Sequence, residues 1–471
     1  MTTGFVISGY FLPIVGTLLI AYLLGTIVYR LCLHPLAGVP GPILAALTYW
    51  YEFYYDAIQP AQYVFKIQKL HKEFEPVVRT TPAEVSIADL DFIDTIYSPG
   101  PSQKRDKDIE KVKALVLDSS IGGAVGHDLH RRRRRALSSF YSPRQVLRVA
   151  PDGEVLNLSD LYFGFANDFG FDQNLMAGLP GAHTRRENFN GVLRAVKLNS
   201  QFTWVRDLLR YLARSLPLTL SSYITPQTDT VGRVGQENIN SIVHELHNDH
   251  KLPQSERSPR RLEDEAVLLL VAGTQSTQVA LSLVHYHLMA NSTIMANLRA
   301  ELESQPSSTL AQLLQLPYLN DVVQETHRLA FGVTGRNARV SPDQPTTYVD
   351  KSTARTFTFP PGTSMSTSTL LVHANEEIFP DPFAFDPGRW LGPAGAARKN
   401  YQMGFSKGPR MCIGMHLVNA EMVIAIAAMA RWNLELFATS YEDVTFLHDY
   451  HIITPRLDSK GVRACVKSRA Q

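Results

Sequence analysis

Phe405-Ser406-Lys407-Gly408-Pro409-Arg410-Met411-Cys412-Ile413-Gly414 is the stretch on which the reading of this chain turns. It sets a cysteine between an irregular, glycine-bearing loop and an apolar helix predicted from about Ile413 to Trp432. Amides at a helix N-terminus, with Arg410 two residues upstream, favour a thiolate over a thiol. A thiolate is the form that ligates metal. Gly408 and Gly414 let the backbone turn tightly and approach something flat and large. Cys32 and Cys465 have no such setting and read as small buried hydrophobes. Three cysteines so scattered exclude a disulfide scaffold and a Cys-rich zinc module.

At every defined position this decapeptide resembles the F-x-x-G-x-R-x-C-x-G loop of the cytochrome P-450 heme-thiolate family. The resemblance implies heme b as cofactor and Cys412 as its axial thiolate, which pushes electron density onto iron and promotes O–O cleavage. It also implies cofactor contacts at Phe405, Arg410 and Gly414. Further stretches agree in order and spacing. Glu325-Thr326-His327-Arg328 resembles the family's E-x-x-R, and Phe385-Asp386-Pro387-Gly388-Arg389-Trp390 its F-x-P-x-R-W. An isolated i, i+3 pair is usually a solvated salt bridge. The resemblance instead implies a Glu325–Arg328–Arg389 cluster that locks the loop behind the heme, a structural role.

His130 precedes five consecutive arginines, Arg131 to Arg135, on a predicted helix. By themselves these are a solvated face or a face for an anionic partner. Aligned on Ala136-Leu137-Ser138-Ser139-Phe140-Tyr141, His130 takes the place of the family's Trp in W-x-x-x-R, and Arg134 that of its Arg. Both would then meet a heme propionate, since a guanidinium fork suits a carboxylate. Arg339 is the third candidate, with Arg336 its competitor. The remaining arginines, with Lys407, form a candidate basic face for an acidic reductase.

Ala272-Gly273-Thr274-Gln275-Ser276-Thr277 resembles the family's A/G-G-x-D/E-T-T/S, whose acid and threonine relay protons to dioxygen. Gly273 fits. Gln275 stands at the acid position and Ser276 at the threonine position. Ser276 keeps a hydroxyl, but Gln275 cannot ionise, so the relay is expected to use ordered water or to slow. Gln275, Ser276 and Thr277 are the candidate catalytic residues.

The chain has 471 residues with a formal charge of +2, hydrophobic content of 45% and charged content of 19%. A large core is affordable, and disorder and a dedicated nucleic-acid binder are excluded. No charged residue precedes Arg30, and Phe5–Tyr29 is 25 residues of mostly apolar sequence. As a helix it would reach about 37 Å, enough to span a bilayer with tilt. A cleaved signal peptide is the other reading, weakened by the missing basic n-region and the length. Arg30 and His34 on the cytoplasmic side leave the body in the cytosol. His34–Pro42 holds three prolines and two glycines and reads as a stiff connector. The uncharged run Ala266–Leu298 is a buried core helix rather than a second span, because a polar band and two histidines interrupt it.

Periodicity predicts a helix over Ala61–Phe74, a hairpin over Val77–Ile87, helices through Lys104–Ala330, and strands at Thr346–Val349 and Thr356–Phe359. An irregular segment is expected from Phe379 to about Gly404. The fold class is mainly α with a minor β part and one N-terminal transmembrane helix, and by resemblance the cytochrome P-450 fold. Expected boundaries are an anchor over 1–30, a proline-rich hinge over 31–42, and one heme-thiolate domain over 43–471. Between Arg148 and Asn174 the chain is short for the family.

The hinge, the Arg-rich helix and the segment around Phe379-Pro380-Asp381-Pro382 look most like fungal secondary-metabolism members such as trichodiene oxygenase. That similarity implies an NADPH-dependent monooxygenase of the endoplasmic reticulum membrane. Its partners would be NADPH-cytochrome P-450 reductase, dioxygen and an apolar terpenoid or polyketide-derived substrate, without nucleic acid. Val271, Ala272, Val279 and Phe331–Thr334 would line the pocket. The alternatives are a heme-thiolate isomerase or dehydratase without net oxygen insertion, and a truncated, non-catalytic heme protein.

Overall fold

The computed structural model describes residues 3–74, 76–100, 103–113, 117, 119–137, 155–159, 162, 186, 190–191, 194, 246–305 and 309–469. The first helix, α1 (Thr3–Val28), continues as one π-helical turn, Tyr29–Leu33. From Pro13 to Leu33 it is apolar and unburied, as a candidate span must be. The proline-rich connector then lies on the body. Leu36 is buried, and Arg79 donates to the carbonyls of Arg30 and Leu36 at 2.8 and 3.3 Å.

Helix α2 (Tyr63–Phe74) packs on the hairpin of β1 (Val77–Arg79) and β2 (Glu84–Ile87). These strands belong to a five-stranded sheet of order β1-β2-β8-β5-β3, with β3 at Asp106–Lys107, β5 at Arg339–Val340 and β8 at Ser364–Ser366. The predicted strands β6 (Thr346–Val349) and β7 (Thr356–Phe359) pair as an antiparallel hairpin. Between β3 and β5, β4 (Val155–Asn157) joins a second sheet in the order β4-β10-β9, with β9 at Trp432–Leu436 and β10 at Arg463–Arg469. Most of the stretch that reads as short lies outside the described residues.

The core forms where three helices meet. Helix α4 (Pro259–Ala290) starts with Pro at its first turn, runs 32 residues and is half-buried, as a core helix with a polar band should be. Helix α5 (Pro317–Leu329) and helix α6 (Met415–Met429) pack against it. Leu281, Val284, Leu288, Leu319, Val322, Met422, Val423 and Ile426 fill the contact, each at most 1% exposed. Helix α3 (His127–Leu137) carries the arginine run. The segment expected to be irregular contains one short α-helix, Gly392–Arg398, started by Gly392-Pro393 and flanked by 3-10 turns at Pro387–Trp390 and Lys399–Tyr401.

Candidate functional site

Helix α5 is the platform behind the cysteine loop. Glu325 is fully buried and accepts hydrogen bonds from Arg328 Nε and Nη2 at 2.9 and 2.7 Å and from Arg389 Nε at 3.0 Å. The Trp390 indole and the Asp386 amide donate to it at 3.0 Å as well. Arg328 spends its remaining donors on the carbonyls of His373, Pro382 and Ala384. His373 returns a ring contact to the Arg328 carbonyl at 2.7 Å and accepts the Met403 amide at 2.8 Å. The cluster thus reaches the cysteine loop through defined hydrogen bonds. Behind it, Phe405 stacks edge-on against His327, whose Nε2 meets Asn419 Oδ1 at 2.8 Å.

The loop has two glycine requirements. Gly408 has φ +69°, and a Cβ there would lie 2.2 Å from the Tyr97 carbonyl oxygen. Gly332 has φ +60°, with its would-be Cβ 1.9 Å from the Gly404 oxygen, so α5 and the loop touch backbone to backbone. The Cys412 amide closes the loop on the Phe405 carbonyl at 2.9 Å, and Gly414 precedes α6.

The Cys412 side chain is accessible. Desolvation nevertheless pushes its thiol up, and the amide of Gly414, the Arg134 guanidinium and the amide of Met415 offset this only in part. The loop's amides and Arg134 act toward the thiolate, as expected, and burial acts against them. A bound metal ion supplies the missing charge and deprotonates a coordinating thiol outright.

Around the cysteine lies a concentration of cations. Arg410 donates to the carbonyls of Arg105, Ala124 and Val125 at 3.0, 2.8 and 2.5 Å, tying the loop to the segment before α3. Arg134 donates to the Met411 carbonyl at 2.5 Å. The sheet register sets Lys107 opposite Arg339 across β3 and β5. Like charges directly opposite are destabilising unless an anion lies between them. Burial first, and then Arg339 and Arg410, push Lys107 down to about 7. Burial with Arg410, Lys107, Arg134 and Arg339 pushes His130 down to about 3, so its ring is neutral. Among the described residues Arg410 reaches a carboxylate only in Asp106, at 3.8 Å. Arg105 Nε and Arg339 Nε are buried without a partner. Arg336, the competitor, is committed elsewhere: it is ion-paired to Glu52 and Glu84.

Buried, unsatisfied guanidinium donors and like charges in register call for a compact dianion. The two propionates of heme b meet that demand, beside a cysteine open to a metal. The residues present therefore fit the group. Arg105 and Lys107 were missed from sequence; the one usable signal was their position before the Arg-rich helix, which only the sheet register converts into proximity to Arg339.

Along α4 the exposure pattern selects one face. Ala272 and Gly273 are exposed in the middle of a packed helix, nothing lies within 4 Å of a Cβ built on Gly273, and Ser276 is half-buried. Ser276 Oγ donates to the Ala272 carbonyl at 2.7 Å. Gln275 points elsewhere: it is buried, donates to Asn190 Oδ1 at 2.7 Å, and lines a cavity of about 80 Å³ with Gln278 and Ser282. Thr277 is buried against α6 and donates to Glu421 Oε2 at 3.4 Å. The three candidates thus separate because consecutive residues on a helix face different ways. Of the expected pocket residues, Phe331 packs with Val279, Leu370 and Ile453, while the Thr334 hydroxyl is spent on Asp449 at 2.6 Å.

A thiol open to a metal, a dianion-seeking cation cluster and a loop braced by a buried Glu–Arg–Arg network define a heme-thiolate protein. Comparison with known proteins agrees. The cytochrome P-450 family model matches residues 204–443. The cytochrome P-450 monooxygenase tpcC of Cochliobolus heterostrophus is 36% identical, covering 93% of this chain and 94% of its own. The cytochrome P-450 monooxygenase TRI4 of Trichoderma arundinaceum is 33% identical over 89% and 88%. The tryptophan 6-hydroxylase fscE of Fusarium equiseti is 33% identical over 98% of each. The chain belongs to the cytochrome P-450 family, whose members bind heme b, and it is a monooxygenase.

Proposed function

We propose that this chain is a membrane-anchored monooxygenase that hydroxylates or epoxidises an apolar terpenoid or polyketide-derived molecule in fungal secondary-metabolite biosynthesis. The observation that carries the reading is the accessible Cys412 beside orphaned cationic donors. The apolar cluster of Phe331, Leu370 and Ile453, against which Val279 of α4 packs, supports an apolar substrate. One relative's name specifies tryptophan, so the relatives do not agree on a substrate class. The unburied apolar span Pro13–Leu33 supports an anchor in the endoplasmic reticulum membrane, with residues 31–42 as hinge and 43–471 as the cytosolic domain.

When bound, heme supplies dioxygen binding and its reductive activation, with electrons from NADPH through the reductase. The chain's own residues do the rest. Cys412 would ligate the iron. Arg105, Lys107, Arg134, Arg339 and Arg410 would neutralise the propionates, and the neutral His130 ring would donate a hydrogen bond. Phe405 and Gly414 would shape the cysteine side of the cofactor. Ala272 and Gly273 leave room on the open face of α4. Ser276 offers a hydroxyl there, whereas the Gln275 amide is turned to Asn190 and cannot ionise.

A reduced carbon-monoxide difference spectrum of the chain in microsomes tests the thiolate. A strongly red-shifted Soret band is expected; its absence overturns the assignment of Cys412. Gln275 at the acid position favours a second reading, an isomerase or dehydratase without net oxygen insertion. Product formation that needs neither NADPH nor dioxygen would select it. Gln275→Asp is expected to raise the product formed per NADPH; unchanged coupling would remove this position from the relay.

A further inference from the structure

Residues 119–125 form a strap that leads into α3. Its far end carries acceptors for two cofactor-side cations. Lys107 Nζ donates to the Gly122 carbonyl at 2.7 Å, and Arg410 donates to the carbonyls of Ala124 and Val125 at 2.8 and 2.5 Å. The Lys107 amide reaches the Val125 carbonyl too, at 3.1 Å. Lys107 and Arg339 face each other in register, so without fixed acceptors their like charges would drive them apart. The strap carbonyls therefore set where Lys107 and Arg410 point.

The near end is gripped from behind at three successive residues. Asp264 Oδ2, in the second turn of α4, accepts the Ser119 amide at 2.8 Å, and Glu265 Oε2 accepts the Ile121 amide at 2.9 Å. Between them, Arg133 Nη1 of α3 donates to the Ser120 carbonyl at 2.8 Å. Ser120 and Glu265 are fully buried. Arg133 also pairs with Glu256 at 2.8 and 3.1 Å, Arg261 Nε donates to Glu256 at 3.2 Å, and Arg261 is ion-paired to Glu265. With only 10% of its side chain exposed, Arg133 belongs to this network and not to a basic outer face. The strap lies directly on α4: a Cβ built on Gly122 would meet Leu268 Cδ2 at 2.9 Å.

We propose that Asp264, Glu265 and Arg133 are positioning residues for the cofactor. By fixing residues 119–121 they fix the Gly122, Ala124 and Val125 carbonyls, and through these the direction in which Lys107 and Arg410 present their charge. Asp264 and Glu265 act on the cofactor only through the strap. Helix α4 then serves the cofactor twice: Ala272 and Gly273 leave room on its open face, and its second turn aims the cations. Outer partners that orient metal-ligating groups are typically worth about 10–100-fold in affinity, and a partner that orients a propionate-binding cation acts by the same means. The proposal rests on the reading above, in which this cation cluster holds the propionates of heme b.

Heme transfer from the heme-loaded full chain to excess apomyoglobin reads retention of the cofactor. Asp264→Ala and Glu265→Ala are expected to speed transfer by about ten-fold, the lower end of that range because Arg134 and Arg339 remain. Asp264→Asn and Glu265→Gln keep an oxygen acceptor for the same amides and should restore most of the retention. Resonance Raman spectroscopy separates aim from stability: the propionate bending band is expected to shift in the alanine variants and to hold its wild-type position in the amide variants. Unchanged transfer in the alanine variants overturns the proposal. Faster transfer with a lowered Tm and an unmoved propionate band also overturns it, because the residues then support the fold alone. Asp264 is half-buried, so its alanine variant carries the test if Glu265→Ala does not fold. A wild-type protein without the red-shifted carbon-monoxide band would instead refute the heme-thiolate reading.

Discussion

Replacing Glu325 by alanine removes one carboxylate and strands five donor atoms on four residues. Arg328 and Arg389 lose their shared anion at 2.7–3.0 Å, and the Trp390 indole and Asp386 amide lose their acceptor at 3.0 Å. Arg328 is fully buried and Arg389 8% exposed, so neither guanidinium can turn to water. Breaking a buried ion pair by removing one partner costs about 3–5 kcal/mol. Unfolding entropy of about 2.1 cal/mol/K per residue makes 1 kcal/mol worth about 1 °C for 471 residues. Glu325→Ala is therefore expected to lower Tm by about 3–5 °C. The larger effect is local. The Glu325–Arg328–His373–Met403 chain positions the cysteine loop, so heme incorporation per milligram of protein should fall far more than Tm. The assay pairs calorimetry with the reduced carbon-monoxide difference spectrum. Glu325→Gln, which keeps the shape but not the charge, should fall between. An alanine variant that retains both the wild-type spectrum and Tm to within 1 °C would refute the reasoning that this cluster holds the loop.

Gly408→Ala places a Cβ 2.2 Å from the Tyr97 carbonyl at φ +69°, so the loop must shift; lost heme incorporation, read by absorbance, is expected. Burial raises the folded-state pKa of Glu421 from 4.5 to about 8. A raised acid pKa means the folded state holds the extra proton, so this group's contribution to stability is complete below about pH 4.5 and is lost as pH rises through about 8. Glu421→Gln should therefore gain thermal stability relative to wild type between pH 5 and pH 9, by on the order of a few kcal/mol, and a flat difference in Tm would contradict the burial argument. Arg132 is exposed, and Lys407 holds Asp94 at 2.9 Å near the surface. Reversing both charges to Glu should raise the reductase concentration needed for half-maximal turnover and leave the carbon-monoxide spectrum unchanged; equal reductase dependence would exclude this face as the docking surface.

Local sequence determined what local physics can determine. The cysteine decapeptide, the Glu325 and Arg328 spacing and the Phe385–Trp390 segment specify their partners because each interaction is short-range or carried by a fixed motif. By length and composition Pro13–Leu33 and Pro259–Ala290 both qualify as candidate spans, and burial, 0% for the first and 53% for the second, separates them. Tertiary structure decided the rest. The choice of Arg339 over Arg336 follows from Glu52 and Glu84, residues some 250 positions away in the chain that only folding delivers. Lys107 joins the cation cluster because an antiparallel register sets it opposite Arg339. Gln275, Ser276 and Thr277 are adjacent in sequence yet face Asn190, the open side and Glu421, because a helix turns about 100° per residue. The protonation of Cys412 and Glu421 also lay beyond the sequence, since desolvation is a property of everything packed around a group and not of its neighbours along the chain.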